Sequence, residues 1–431
     1  MGRHNGDNAP EPQSERQDGD TPSVPTTSET RETTETATTE PSHGFKDSLR
    51  RFDSRIDPRR ALTVGVVIVL VLALFAGLVQ HRRSQVPVYP DYQGAGSGSV
   101  LVEVAPGVTA ASLAPQLVSM DIVKSEGAFI QAANNNPNIT SMQPGFYQLR
   151  KQMAAARAVE RLLDPSNRAG AVNLPGGVTL EDVRVVNGET VFGIYRHLAK
   201  ASCYTEGERR HCISAAAFRN AVANASPAQL GVPRWARRAV ASATYPERKI
   251  EGLILPGVHV FNPTHTPLQI IRELVTASAE IYQQSGLVEA AKAQKLSPYE
   301  VVVGASLIQR EVGASDYGKA ARVIVNRLKR NQPLQFDSTV NYGLSEQQVA
   351  TSDAARGTET PWNTYAMNGL PATPICSPTL EAVKAMEKPT PGKWLYFVTV
   401  DKQGTTKFNV TLKDHERDIE EAHRNGVFDS Q

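Results

Sequence analysis

Cysteine is scarce, with three in 431 residues. Cys203 and Cys212 lie close together, Cys376 stands alone, and no C-x-x-C pair occurs, which argues against a thiolate zinc centre. The nine histidines are scattered; His259 and His265 share a loop-like stretch, but the H-E-x-x-H pair of zinc hydrolases is missing. A Gly-rich phosphate loop and a G-x-S-x-G elbow are also absent, so neither phosphate-cradling chemistry nor an α/β-hydrolase triad has a motif to rest on. Net charge is only +2, whereas a nucleic-acid binder carries a clearly basic domain, so no nucleic-acid partner is expected.

What is present falls into regimes. Residues 1–45 are rich in Thr, Glu, Ser, Pro and Asp, with Phe45 their single aromatic. Such a stretch buries too little apolar surface to offset its ordering entropy, and reads as disordered. A basic run follows (Lys46, Arg50, Arg51, Arg55, Arg59, Arg60), then ALTVGVVIVLVLALFAGLV at 61–79, free of charge. At about 1.5 Å per residue that run spans a hydrocarbon core of roughly 30 Å. A core helix of this length would keep a polar face, and a cleaved signal peptide would start with a short charged region and a shorter apolar one. The expectation is therefore one membrane-spanning helix at 61–80. More Lys and Arg precede it than follow it, which puts residues 1–60 in the cytoplasm and residues 84–431 outside.

Residues 81–99 are rich in Pro, Gly and Ser and read as a flexible linker. Folded sequence is expected from Val100: a strand, a Pro-Gly turn and a helix entered at Thr109. A similar string recurs at 172–183, where Thr179 and Asp182 have capping-box spacing. The two strings are either related α/β modules or a coincidence of common turn chemistry. GFYQLR (145–150) looks like a returning strand and 156–164 a short amphipathic helix. Cys203 and Cys212 flank a polar loop; outside the cytoplasm they can form a disulfide, and otherwise they are two free thiols. A helix is expected over 267–286.

The last third carries the strongest signals. Ser297, Pro298 and Glu300 form a capping box with a proline at the first helical position, starting a helix that runs to about Gly313. A second helix covers 319–330, a β-hairpin 393–411, and an amphipathic helix closes the chain. Glu311 falls in the last turn of the Ser297-capped helix. The helix dipole and apolar neighbours such as Ile308 and Val312 would raise its pKa, as a general acid at neutral pH requires. The alternative is a surface glutamate beside Arg310. LQFDSTVNYG (334–343) and TPWNTYAMNGLPATPICSPT (360–379) combine aromatic and polar groups in a way that suits sugars, or are ordinary structured loops.

At these positions the chain resembles a known family. GASLIQREVG (304–313), ARVIVNRL (321–328), PLQFDSTVNYG (333–343), WNTYAMNGLPATPICSP (362–378), WLYFVTVDKQGTTKFNVTLKDH (394–415) and EGLILPG (251–257) are similar to strings of the endolytic murein transglycosylases, the MltG or YceG-like family. The resemblance implies an α+β fold: after the membrane helix, a LysM-like module at 100–170, a second α/β region at 171–290 and a catalytic domain at 291–431. It implies cleavage of peptidoglycan glycan strands between MurNAc and GlcNAc, giving 1,6-anhydro ends, with no metal or cofactor. Partners would be glycan strands, the bilayer and peptidoglycan synthases. Glu311 matches the catalytic glutamate; Gln335, Asp337, Tyr342, Asn363, Tyr365 and Glu251 match positions of substrate-binding or positioning groups. Two departures stand out: Gln309 sits where the family often has Glu, and Gly257-Val258 replaces an Asp-Thr. A lysozyme-like hydrolase using Asp337 as second carboxylate, and a non-catalytic glycan-binding scaffold, are the competing readings.

Overall fold

The computed structural model describes residues 58–83, 87–185, 188–348 and 351–427. The expected disordered tail and most of the basic run lie outside them. Helix α1 (Pro58–Arg83) forms a unit by itself. Its stretch Leu62–Val79 is apolar and long enough to cross a membrane, with large hydrophobic side chains exposed along it.

Residues 87–431 form a second compact unit of α+β type with small sheets. It opens with β1 (Ser97–Val104), α2 (Ala110–Ser119), α3 (Glu126–Asn134), β2 (Gly145–Lys151), α4 (Ala155–Leu163) and β3 (Arg168–Ala169). β1 and β2 are antiparallel, with β3 on the far side of β2. Thr109 caps α2 as the turn chemistry predicts, and Val102, Leu113, Phe129, Tyr147, Leu149 and Leu162 close a core of this lobe's own. The linker expectation needs correction. Strand β1 begins at Ser97, and residues 87–95 lie against the lobe: the Ser125 hydroxyl donates to Pro90 O at 2.7 Å, and the Asp91 carboxylate accepts the Ala155 N–H at the start of α4. The Tyr89 ring covers Gly127 so closely that a Cβ there would fall 2.1 Å from it. Composition predicted a free tether; specific hydrogen bonds tie Pro90, Asp91 and Gly94 of it to the lobe.

Next come β4 (Ala171–Leu174), β5 (Val183–Val185), β6 (Thr190–Val191), α5 (Ile194–Ala201), β7 (Tyr204–Glu206), β8 (Arg209–His211), α6 (Ala215–Asn224), α7 (Arg237–Ala241) and β9 (Gly257–Val260), which pairs with β4. No helix follows the second Pro-Gly turn, so the capping box expected there is not formed. The Thr179 hydroxyl donates to Glu181 O, and the Asp182 carboxylate accepts the distant Gly193 N–H that leads into α5. Cys203 and Cys212 are joined in a disulfide across the β7–β8 hairpin, and Gly207 at its tip exchanges two backbone hydrogen bonds with Ser99 of β1.

Helices α8 (Pro267–Gln284), α9 (Leu287–Gln294), α10 (Pro298–Glu311) and α11 (Tyr317–Lys329) lead to α12 (Asp337–Gly343), β10 (Glu346–Gln347), α13 (Asp353–Arg356) and α14 (Leu380–Glu387). The hairpin of β11 (Tyr396–Thr399) and β12 (Thr406–Asn409) and helix α15 (Leu412–Arg424) end the fold. The capping box at Ser297 is realised: Glu300 N–H donates to its hydroxyl and Ser297 N–H to the Glu300 carboxylate. α10 is buried at Tyr299 and continuously from Val301 through Ile308, and belongs to two cores. Tyr299 and Val303 pack with Ile250, Ile254 and Ile271, while Val301, Ala305 and Ile308 pack with Ile324, Trp362 and Met386. Residues 171–290 and 291–431 thus meet along one helix, whose C-terminal residue is Glu311.

Candidate active site

Burial of α10 on all sides fixes where its last turn emerges. Glu311 reaches the surface at one edge, but protein crowds its carboxyl. That desolvation pushes its pKa up to about 7; Ser338 hydrogen bonds oppose the rise, nearby Asp337 adds to it, and Arg310 opposes it. Ser338 stands at the first turn of α12, where free N–H groups favour a carboxylate. Its hydroxyl donates to Glu311 Oε1 in a short hydrogen bond, and its N–H approaches the same oxygen at 3.4 Å.

Asp337 is one residue away but differently committed. Its carboxylate accepts from the Tyr365 hydroxyl at 2.7 Å and the Thr351 hydroxyl at 2.7 Å, and pairs with the Arg356 guanidinium at 3.1 Å. The Arg356 guanidinium also lies over the Tyr365 ring at 5.0 Å. Burial and the bond to Asp337 hold the Tyr365 hydroxyl well above its usual pKa, so it stays a donor.

The two polar strings read from sequence meet here. Thr364 links them: its carbonyl accepts Gln335 N–H at 3.1 Å and its hydroxyl accepts Phe336 N–H at 3.0 Å. Gln335 is exposed at φ 55°, and its side-chain oxygen takes a 3.4 Å contact from Arg327. Arg327 is buried without a carboxylate, feeding Leu395 O at 2.6 Å, Pro333 O at 3.0 Å and Leu334 O at 2.8 Å. Asn363 is only 1 % exposed; its amide donates to Arg356 O and Thr358 O and accepts Tyr365 N–H. It shapes the loop and presents nothing to solvent. Tyr342 and Glu251 also turn inward, the tyrosine hydroxyl donating to the glutamate at 2.7 Å. Of the residues named from sequence, Glu311, Asp337 and Tyr365 come together around Ser338 and Arg356; Gln335 lies exposed two positions before Asp337 with its contacts to Thr364 and Arg327, and Asn363, Tyr342 and Glu251 are buried.

Ser338, Arg356 and Thr364 were missed. Ser338 and Thr364 lie inside the quoted strings, and a Ser at a helix start beside the acid was a usable signal; Arg356 has none. Gln309 Oε1 accepts the Thr379 N–H at 3.0 Å, anchoring the start of α14. A second wall comes from the turn after β4. Gly177 (φ 78°) donates its N–H to Ser377 O at 2.9 Å, and a Cβ on Gly176 would stand 2.7 Å from Thr379 Cγ2, so glycine is needed for this approach.

Among the described residues no three His, Cys, Asp or Glu side chains gather to hold a metal. The His259 ring donates to Leu255 O, and His265 pairs with Glu273. A cavity of about 740 Å³ at the other end of α10, lined by Leu296, Arg322, Leu328 and Leu370 among others, contains none of the site residues.

A single carboxyl poised near neutrality beside a hydroxyl donor, with a second carboxylate locked in an ion pair, is equipped to give up a proton and take one back. The chain belongs to the YceG-like family, whose model matches residues 102–421. It is 26% identical over 320 residues to the endolytic murein transglycosylase of Bacillus subtilis (strain 168), covering 74% of this chain and 83% of that protein. It is 25% identical over 293 residues to the protein of the same name from Streptococcus pneumoniae serotype 2, covering 66% of this chain but 51% of that one. The crystal structure of a yceG-like protein of Listeria monocytogenes shares 22% identity, covers 75% of this chain and 99% of that one, and superposes with a TM-score of 0.48.

Proposed function

We propose that this protein is a membrane-anchored endolytic lytic transglycosylase, which cuts MurNAc–GlcNAc bonds inside peptidoglycan glycan strands and leaves 1,6-anhydro-MurNAc ends. Helix α1 anchors it with residues 84–431 outside the cytoplasm, where the glycan lies. The lobe of β1–β3 and α2–α4 acts as a LysM-like glycan-holding module, and peptidoglycan synthases are the partners whose strands it terminates.

The observation that carries this reading is the division of labour between Glu311 and Asp337. Ordinary glycosidases need two free carboxyl groups flanking the bond. Here Asp337 is held by Arg356, Tyr365 and Thr351, which leaves Glu311 to serve alone. Protonated Glu311 gives its proton to the glycosidic oxygen as the C1–O bond breaks. The resulting carboxylate takes the proton of the MurNAc C6 hydroxyl, whose oxygen attacks C1 and closes the anhydro ring. The nucleophile is tethered to the electrophile, so effective molarity replaces an activated water, and Glu311 returns to its protonated state.

The test is mass spectrometry of products from un-crosslinked glycan strands cut by residues 87–431. Anhydro ends within the strand are expected. Reducing ends without anhydro-sugar would mean a hydrolase, and intact strands a binding protein; either result ends this proposal.

A further inference from the structure

Behind the site lies a buried carboxylate that the mechanism above does not use. Glu251 is 1 % exposed. Both its oxygens accept the Leu180 N–H at 3.1 Å, and Oε2 also accepts the Tyr342 hydroxyl at 2.7 Å. Each partner belongs to a different wall of the site. Leu180 ends the segment that starts at Gly176 and Gly177, whose turn lies against Gln309 and Arg310 just before Glu311. Tyr342 lies in α12, the helix whose first turn supplies Ser338 to Glu311. Arg248 supports the same wall: its guanidinium lies 5.1 Å from the Tyr342 ring and donates to Tyr342 O at 3.1 Å.

We infer that Glu251 is a positioning residue for the reaction of Glu311: its ionised carboxylate ties the 176–180 segment to α12 and so holds Ser338 and Glu311 in register. This rests on the assignment of Glu311 as the acid. An ionised carboxylate can accept both donors at once. Protonation puts a hydrogen on an oxygen already facing one, so either Leu180 loses part of its acceptor or the Tyr342 hydroxyl must turn into an apolar interior.

The surroundings make this a titration near neutrality. Burial raises the Glu251 pKa to about 7, against the pull of Tyr342, the Leu180 N–H and Arg248. Arg248 is the nearby cation; the hydroxyls of Tyr195, Tyr299 and Tyr342 and the Cys376 thiol also feel Glu251, and burial holds all four above their usual range, so they stay neutral. Across a small cavity of about 80 Å³ lie Glu181, Asp182 and Arg184; Glu181 pairs with Arg219 and Asp182 with Arg196. Two glutamates thus titrate in the same range with opposite requirements. Glu311 must be protonated to start the reaction, and Glu251 ionised to hold the walls.

The experiment is the rate–pH profile of the full-length protein in detergent on un-crosslinked glycan strands, from about pH 5 to about pH 9. The wild type should give a bell centred near neutrality, whose acid limb belongs to Glu251. Glu251→Gln, non-titrating and nearly isosteric, should lose the acid limb and keep the alkaline one, with kcat down several-fold and KM little changed. Tyr342→Phe removes one bond to the charged form, so its acid limb should move to higher pH. An unchanged acid limb in Glu251→Gln overturns the inference. If that variant does not fold, an unmoved acid limb in Tyr342→Phe overturns it equally. Failure of the Glu311 assignment looks different, since Glu311→Gln would then remain active whatever Glu251 does.

Discussion

Ser338 donates both its hydroxyl and its backbone N–H toward a single oxygen of Glu311. The start of one helix thereby meets the end of another. The N-terminus of α12 favours negative charge where the C-terminus of α10 opposes it, so the carboxyl sits between two dipoles of opposite sense.

Glu311→Gln keeps the size and hydrogen bonding of the side chain and removes proton transfer. In the proposed mechanism one group serves as acid and base, so the loss should be at or above the top of the usual range of about 10²–10⁴ in rate. Binding to glycan strands should survive. Counting anhydro-MurNAc ends and measuring strand retention on the same samples checks both; cutting near the parental rate removes Glu311 from the mechanism.

The same substitution should stabilise the fold in alkaline solution. The folded pKa of Glu311 is raised from 4.5 to about 7, so the native state holds the proton more tightly than the unfolded chain. Its contribution is fully present below about pH 4.5 and is lost as pH rises through about 7. Glutamine cannot ionise, so Glu311→Gln should gain on the order of 2 kcal/mol over wild type at about pH 8, and the difference should vanish below about pH 4. Thermal melts at the two pH values decide; a variant less stable at the higher one contradicts the raised pKa.

Ser338→Ala should move the alkaline limb of the rate profile. The hydroxyl bonds the ionised carboxyl and holds the Glu311 pKa down, so losing it should raise that pKa further. Activity should persist to higher pH, while the maximal rate falls about tenfold through looser orientation. An alkaline limb that stays put or moves down would show that this hydroxyl does not govern the acid.

Thiol counting on the denatured, non-reduced exported protein should find only Cys376 reactive, the Cys203–Cys212 pair being closed. Reduction should destabilise the hairpin and its contact with β1 by roughly 2–3 kcal/mol. Three reactive thiols without reductant would rule the bond out.

Local chemistry explains which elements the sequence revealed. Thr109, and the Ser297–Pro298–Glu300 box, have their partners within one turn, so spacing alone locates α2 and α10. The equivalent spacing at Thr179 and Asp182 misleads, because Asp182 answers to Gly193, across the chain. Residues 87–95 mislead in the same way: Asp91 finds its partner 64 positions on, at Ala155. In the candidate site, the place of Glu311 at a helix end among apolar neighbours was legible, but only the family resemblance set it apart from a surface glutamate. Asn363, Tyr342 and Glu251 were recognisable as residues of interest, but nothing in a linear string says that their polar atoms point inward. Arg356 was invisible, since its meaning comes wholly from Asp337 and Tyr365.

Arg327 bears on how the protein tolerates substitution. Its guanidinium serves three carbonyls and Gln335 from one buried position, joining α11 to the irregular segment before α12 and to the final hairpin. The planar fork reaches these acceptors together, and an ammonium, as a point donor on a flexible stem, cannot. Exchange of Arg for Lys should be innocuous at exposed Arg330. Three positions earlier on the same stretch of chain, the same exchange leaves buried carbonyls without donors and disturbs the loop that carries Gln335 and Asp337.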